Sequence, residues 1–224
     1  LLEIGPGKGA MTSLLLEKCE SLTAIEIDKD LIRFLKKAYG DRKNFNLIEK
    51  DILLYDPKEL VRVNKLIGNI PYNISTPIIE WIIDNKSSFD EIFLMLQKEF
   101  GERCVAQPNT KSYGRLSIFV QCFFDVTVIR EVDKSSFDPS PKVQSIFLKL
   151  IPKVSDMTPN SILMKNLSTL TREAFSKRRK LITNSLKSFF TEEDLVNLGI
   201  ERKSRPENLS VETYIKLAKS IQSG

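Results

Sequence analysis

The sequence predicts an α/β fold in which an open sheet of seven strands is followed by a small C-terminal helical domain. Short apolar strands alternate with helical patterns as far as Pro152. After Pro152 the strand patterns stop, and only helical patterns follow. We therefore assign residues 1–152 to a sheet domain and residues 153–224 to a helical domain, a division that suits a chain of 224 residues.

The hydrophobic patterns place each element. The predicted strands cover residues 1–4, 22–27, 45–50, 65–68, 92–96, 126–132 and 145–151. The predicted helices of the sheet domain start after Gly9 and near Gln97, cover about 29–39 and 76–85, and include one that ends near Phe123. A linker over 155–159 leads to helices at about 160–176, 180–190, from Thr191, and from Ser210 to about 222.

Composition excludes several classes of protein. The chain is 42% hydrophobic and 28% charged, as in ordinary globular proteins, and no apolar stretch reaches the roughly 18 residues of a membrane span. It has no histidine, and its three cysteines show no CxxC spacing, so we expect neither a metal site nor disulfides. We expect a cytoplasmic monomer that does not bind membranes.

Positive charge is concentrated in the helical domain. Residues 1–151 carry 21 Lys+Arg and 21 Asp+Glu, whereas residues 152–224 carry 13 and 8. The candidate RNA-binding cations form two clusters: Lys177, Arg178, Arg179 and Lys180, and then Arg202, Lys203 and Arg205. They indicate either a polyanion-binding surface or simply solvated helix faces.

A glycine turn follows the first strand. Gly5 and Gly7 can adopt positive φ and allow a ligand to approach the backbone. Glu26 ends the second strand 21 residues after Gly5, where an acid hydrogen-bonds ribose hydroxyls in nucleotide-binding α/β folds. The glycines match neither GxGxxG nor the P-loop. A ligand with ribose but no pyrophosphate, such as S-adenosylmethionine, therefore fits better than NAD.

Further cofactor contacts are predicted beside this turn. Asp51 follows the third strand, where it can accept a hydrogen bond from an adenine amino group while Ile52 packs on the ring. Asp51 could instead cap a turn. We add Glu3 and Ile27, which lie within one or two residues of the turn and of Glu26, to the candidate cofactor-binding residues.

The fourth strand ends in Asn69-Ile70-Pro71-Tyr72. The Asn69 side-chain oxygen and the Ile70 carbonyl can each accept an N–H bond from an adenine amine, which frees its lone pair for attack on a methyl group. Tyr72 can stack on the base. This chemistry needs neither metal nor histidine. The alternative is a proline turn with a packing tyrosine.

These motifs resemble a known family over essentially the whole chain. The matching stretches are Leu2–Gly9, Glu26–Asp28, Asn69–Pro77, Met95–Glu99, Tyr113–Ser117, Phe137–Val143, Ala174–Phe175, Arg178–Lys180 and Arg205–Ser210. They resemble the KsgA-type ribosomal RNA small-subunit adenine dimethyltransferases. The resemblance implies a Rossmann-like, seven-stranded class I methyltransferase sheet and S-adenosyl-L-methionine as cofactor. It also implies dimethylation of two adjacent adenosines in a hairpin near the 3′ end of 16S rRNA, within the immature small subunit.

The resemblance also assigns residues to the site. It implies that Gly5, Glu26, Asp51 and Asn69 contact the cofactor, and that Tyr72 and Phe137 flank the target base. The family carries an upstream basic segment with a Gln-Asn-Phe-Leu motif. Because the chain starts on a core strand without Met and lacks that motif, we expect the natural protein to extend further at its N-terminus.

Three other functions remain open at this point. The related Erm type methylates large-subunit rRNA with the same cofactor and base motifs, although the C-terminal motifs favour the KsgA type. A ribosome-assembly factor would bind pre-rRNA and methylate only incidentally. A mitochondrial transcription-factor relative would reuse the fold.

Overall fold

The computed structural model describes residues 1–59, 63–136, 142–154, 158 and 161–221. Within this part of the chain, seven strands form one sheet. The strands are β1 (Leu2–Ile4), β2 (Leu22–Glu26), β3 (Phe45–Glu49), β4 (Lys65–Asn69), β5 (Glu91–Gln97), β6 (Phe124–Val132) and β7 (Ser145–Pro152).

The strand order is β3-β2-β1-β4-β5-β7-β6. Strands β3, β2, β1, β4 and β5 run parallel to one another, and β7 runs antiparallel to β5. Strands β1, β2 and β3 are added toward one edge of the sheet and β4 and β5 toward the other, so the strand order reverses between β1 and β4. Such a switch point is where open α/β sheets bind ligands. The predicted Rossmann-like class I methyltransferase sheet is confirmed.

Burial explains why these segments form strands. All residues of β1 and β2 are buried, as expected for central strands covered on both faces. In β5 the burial alternates, with Ile92, Leu94 and Leu96 fully buried on one face. The core of the sheet unit is built from these apolar strand residues.

The α-helices within the described residues follow the predicted order. They are α1 (Ala10–Leu16), α2 (Lys29–Tyr39), α3 (Ser75–Asp84), α4 (Lys98–Val105), α5 (Arg115–Phe123), α6 (Ile162–Ser176), α7 (Ile182–Ser185), α8 (Glu192–Asn197) and α9 (Val211–Ser220). The helix predicted over about 180–190 was too long. The helix ends at Ser185, and beyond it the Leu186 carbonyl accepts from both Phe189 N at 2.9 Å and Phe190 N at 3.1 Å in a turn.

The chain divides into two compact units. The first, the sheet unit, comprises Leu1–Gly101 and Val126–Pro152, and the second, the helical unit, comprises Glu102–Asp125 and Lys153–Gly224. The predicted domains differ in one segment, since residues 102–125 belong to the helical unit. Within that unit α5 packs against α6 and α9, and the Tyr113 hydroxyl donates to the Leu209 carbonyl at 2.8 Å. Because α6 and α9 come much later in the chain than α5, the sequence did not predict that they pack together.

Other predictions concern what the chain does not carry. No helix in the described ranges has the length and apolar character needed to cross a membrane. Among the same residues, no group of three His, Cys, Asp or Glu side chains could hold a metal ion. The cysteines are free thiols; Cys104 and Cys122 are buried, and burial raises the pKa of each to about 12.

Candidate functional site

The strand register brings the predicted cofactor and base residues to one edge of the sheet. Ile4 pairs with Ile25 of β2 and with Gly68 of β4. The next residue of each strand is therefore at the same level: Gly5, Glu26 and Asn69. Gly5 follows β1, and Glu26 and Asn69 end β2 and β4, so all three lie at the carboxyl ends of parallel strands beside the switch point.

The glycine turn adopts the backbone that its residues predict. Gly5 has φ of 61° and Gly7 has φ of 58°, in the region that other residues rarely enter. A Cβ added at either glycine would meet nothing within 4 Å. The backbone of the turn is therefore open to a ligand, and side chains there would fill the space above it.

Glu26 is fixed by three backbone N–H groups. Its Oε1 accepts from Ile27 N at 2.9 Å and Asp28 N at 3.0 Å, and its Oε2 accepts from Gly7 N at 3.3 Å. The residue as a whole is only 7% exposed. The contact with Gly7 couples the end of β2 to the glycine turn, so the acid and the turn form one preorganised arrangement.

Glu3 occupies a different place from the other candidates. Its side chain has no exposed surface, and the Thr12 hydroxyl donates to its Oε2 at 2.8 Å. Within the described residues its Oε1 has no hydrogen-bond partner, and burial raises the pKa of Glu3 to about 7. This placement ties α1 to β1 beneath the glycine turn, which favours a positioning role over the predicted direct contact with cofactor.

The adenine-side candidates lie after β2 and β3. Asp51 Oδ1 accepts from Leu53 N at 2.9 Å and so caps the turn Ile52–Leu54, as the alternative interpretation of Asp51 predicted. This bond uses one carboxylate oxygen and leaves Oδ2 for a ligand. Ile52 is 7% exposed, whereas Ile27 is 65% exposed. Ile27 thus offers the larger accessible apolar surface.

The Asn69–Tyr72 segment leaves β4 in a fixed turn. The Ile70 N–H donates to the Met95 carbonyl at 3.0 Å, and the Ile70 side chain is 1% exposed. The buried Ile70 anchors the peptide, while the Asn69 side chain is exposed. Pro71 has φ of −56° and precedes a 3₁₀ turn over Tyr72–Ile74. The segment therefore forms a proline turn at the sheet edge that exposes the Asn69 side chain.

Tyr72 has a partner that the sequence did not suggest. Its ring is 40% exposed, and its hydroxyl lies 3.3 Å from the hydroxyl of Ser145, which is 2% exposed. Ser145 is 73 residues away along the chain and is brought near by the pairing of β7 with β5. The second predicted base-stacking residue, Phe137, lies outside the described residues.

The predicted RNA-binding cations fall into two groups. Arg179, Lys180, Lys203 and Arg205 are exposed, and none of them pairs with an acid of the described chain. The other three are in ion pairs: Lys177 with Glu173 at 2.9 Å, Arg178 with Glu207 at 2.5 Å and Arg202 with Glu192 at 3.2 Å. Charge clustering alone did not distinguish these groups.

Known proteins are similar to this chain in sequence. The family model described as "Ribosomal RNA adenine dimethylase" matches residues 1–223. A protein of Legionella pneumophila (strain Corby), named ribosomal RNA small subunit methyltransferase A, is 41% identical over 224 residues, which is 100% of this chain and 87% of the relative.

Two solved structures resemble the fold. A dimethyladenosine transferase from Plasmodium falciparum has 32% identity and a TM-score of 0.81, covering 96% of this chain and 87% of its own. The 23S rRNA methyltransferase ErmE has 22% identity and a TM-score of 0.73, covering 98% and 89%. At that identity, the likeness to ErmE concerns the fold alone.

Proposed function

This chain belongs to the ribosomal RNA adenine dimethylase family, and we propose that it dimethylates the N6 amines of two adjacent adenosines in a hairpin near the 3′ end of small-subunit rRNA. The enzyme uses S-adenosylmethionine as methyl donor. The name of the Legionella relative supports the small subunit as target. Activity on immature small subunits in the cytoplasm is part of the proposal.

One observation carries the assignment of the site. The register of β2, β1 and β4 sets Glu26, Gly5 and Asn69 at one level of the same sheet edge. A nucleoside-binding acid and an open glycine turn are thereby next to a side chain that can accept a hydrogen bond from an amine. This arrangement matches a reaction between a nucleoside-bearing cofactor and an amino group.

The residues present fit the cofactor. The open space beside Gly5 and Gly7 is available to the cofactor, and a Cβ at either position would occupy part of it. Glu26 presents a preorganised carboxylate for the two ribose hydroxyls. Ile27 offers apolar surface to the adenine ring, and Asp51 Oδ2 can accept from its amino group. When bound, S-adenosylmethionine supplies an electrophilic sulfonium methyl group. Glu3, through Thr12, holds α1 and the turn in place.

The chain activates the target amine with two oxygens. The Asn69 side-chain oxygen and the Ile70 carbonyl each accept one N–H bond, so the nitrogen lone pair is drawn out of conjugation with the base. The buried Ile70 side chain and the bond from its N–H to the Met95 carbonyl hold the backbone of this turn, and with it the Ile70 carbonyl, in place before the amine binds. Pro71 fixes the next residue, so Tyr72 can stack on the base at a set distance from Asn69.

The helical unit supplies the attraction for RNA. Its exposed cations without acid partners in the described chain, Arg179, Lys180, Lys203 and Arg205, are free to contact phosphates. Phosphate contacts give affinity and orientation without reading sequence. We assign RNA binding to this unit and base chemistry to the sheet unit.

Labelled methyl transfer tests the proposal. The protein is incubated with methyl-labelled S-adenosylmethionine and, separately, with immature small subunits and large subunits. We expect label only in small-subunit rRNA, as N6,N6-dimethyladenosine. Label confined to large-subunit rRNA would establish the Erm-type function instead, and binding to small subunits without transfer would establish an assembly factor.

A further inference from the structure

The side chain of Arg178 is directed into the helical unit. Its Nε donates to Glu207 Oε2 at 2.5 Å, its Nη1 to the Lys111 carbonyl at 2.9 Å, and its Nη2 to the Thr110 carbonyl at 3.1 Å. Each of its three nitrogens therefore has a protein partner. The planar fork of an arginine suits such a three-way contact, which occupies three of its five N–H donors.

Arg178 sits where two loops are joined. We call residues 107–112, 178–180 and 205–208 the loop junction. The Asn109 N–H donates to the Glu207 carbonyl at 2.8 Å, and the Asn208 side-chain amide donates to Asn109 Oδ1 at 2.7 Å. Asn109 adopts φ of 70°, a backbone that is uncommon outside glycine and that these contacts hold in place.

Buried tyrosines support the junction from within the unit. The Tyr113 hydroxyl donates to the Leu209 carbonyl at 2.8 Å, and the Tyr214 hydroxyl donates to the Pro206 carbonyl at 2.8 Å. Burial raises the pKa of both phenols. These bonds tie the loops of the junction to the buried core of the helical unit.

The junction exposes several cationic side chains beside the neutral polar side chains of Gln107, Asn109, Thr110 and Asn208. Lys111, Arg179 and Arg205 are exposed, and within the described residues none of them has an acid partner. Lys111 and Arg179 are set by the same arginine, since Arg178 binds the Lys111 carbonyl and precedes Arg179 in the chain. Arg205 is held by its N–H bond to Asn208 Oδ1 at 2.5 Å.

We propose that the loop junction is a preformed phosphate-binding surface for RNA, in which Lys111, Arg179 and Arg205 contact phosphates while Arg178 and Glu207 position them and do not touch RNA. The proposal rests on the proposed function, because the RNA is taken to be the rRNA substrate. Cations held on a rigid support lose less conformational entropy on binding than cations on mobile loops. Lys111 is not part of either basic cluster in the sequence.

The first test measures the salt dependence of RNA binding. Lys111→Gln should weaken binding of the small-subunit rRNA hairpin and reduce the slope of log K against log salt by about 1, as for one lost phosphate contact. Lys165→Gln is the matched control, because Lys165 is an exposed lysine at the far end of α6, about 18 Å from Lys177 along the helix. An unchanged salt slope for Lys111→Gln, or an equal change in salt slope for Lys165→Gln, overturns the proposal of a phosphate-binding surface.

The second test separates positioning from contact. If Glu207 merely neutralises an RNA-binding arginine, Glu207→Gln removes a negative charge and should tighten binding. The positioning role predicts weaker binding, with a salt slope like that of the wild type. Glu173→Gln is the control, since Glu173 pairs with Lys177 in the same unit, and it should leave binding unchanged or tighter.

Arg178→Lys completes the comparison. It keeps the charge but loses the fork, so it should weaken binding as Glu207→Gln does, with circular dichroism confirming that both variants fold. Tighter binding for Glu207→Gln, or wild-type binding for Arg178→Lys, overturns the positioning role. If the wild type methylates rRNA and these variants bind RNA as the wild type does, the inference is refuted but the proposed function stands. A wild-type protein that neither binds nor methylates small-subunit rRNA would refute the proposed function.

Discussion

The Tyr72 hydroxyl and the Ser145 hydroxyl lie 3.3 Å apart, and this contact joins the turn after β4 to the first residue of β7. Ser145 is buried, so its position is fixed by the sheet. The exposed ring of Tyr72 is thus held by a partner on a different strand. If Tyr72 stacks on the target base, Ser145 sets the orientation of that ring.

This contact predicts a pair of coupled variants. Tyr72→Phe and Ser145→Ala should each slow single-turnover methyl transfer by about 2- to 10-fold, the range of one neutral hydrogen bond. Because both remove the same bond, the double variant should be no slower than the slower single variant. Tyr72→Ala removes the ring and should cost more. Fully additive effects would show that the hydroxyls do not act through each other.

The glycine turn predicts a loss of cofactor binding that strain alone does not explain. Gly7→Ala should lower the free energy of unfolding by about 1 kcal/mol, because alanine disfavours positive φ, and should weaken S-adenosylmethionine binding at least about tenfold. Gly199→Ala is the matched control: φ there is 82°, and an added Cβ also meets nothing within 4 Å. It should have similar strain and normal cofactor affinity by calorimetry. Equal S-adenosylmethionine affinity for Gly7→Ala and Gly199→Ala would show that the turn is not part of the cofactor site.

We expect Glu26 and its neighbour Glu49 to differ in their effect on cofactor affinity. Glu26→Gln places an amide N–H₂ against backbone N–H donors, so cofactor affinity should fall by about 10- to 100-fold. Glu49 is paired with Glu26 in the register of β2 and β3 and forms an ion pair with Lys36, so Glu49→Gln should bind cofactor normally. Unchanged affinity for Glu26→Gln would contradict its role at the ribose.

Glu3 predicts a pH dependence of stability. Burial raises its pKa from 4.5 to about 7, so between these values the folded chain retains a proton that the unfolded chain has released. The free energy of unfolding should therefore fall as pH rises through this window, by about 3 kcal/mol from this group. Glu3→Gln should flatten the profile and be more stable than the wild type at pH 8.

Urea unfolding at pH 5 and pH 8 without cofactor measures this effect. Glu20 lies in the same unit and is exposed, so Glu20→Gln is the control and should retain the wild-type profile. Parallel profiles for the wild type and Glu3→Gln would mean that Glu3 is ionised in the folded protein.

The sequence predicted those features that depend on strand order and local chemistry. Glu26 was identified from its position at the end of β2, and Asn69 from its position at the end of β4, because the carboxyl ends of parallel strands share one edge. The contact between Tyr72 and Ser145 could not be predicted in this way, since it depends on the pairing of β7 with β5 across 73 residues.

The direction in which a side chain points was the second feature that the sequence could not predict. Arg178 and Arg179 are equivalent in a count of charges, yet one is bonded inward and the other is exposed. Lys111 was not identified, because it is isolated in the sequence and joins the cations only through its carbonyl contact with Arg178. Residues 102–125 were assigned to the sheet domain for the same reason, since their partners on α6 and α9 come later in the chain.

The central claim is that this chain dimethylates adenosines of small-subunit rRNA through Asn69. The most direct measurement maps N6,N6-dimethyladenosine by mass spectrometry in rRNA from cells that lack the gene, complemented with the wild type or with Asn69→Ala. The account predicts two adjacent dimethylated adenosines near the 3′ end of small-subunit rRNA with the wild type, and none with Asn69→Ala, although that variant still binds the rRNA. Full dimethylation with Asn69→Ala, or the same rRNA with and without the wild-type gene, would contradict it.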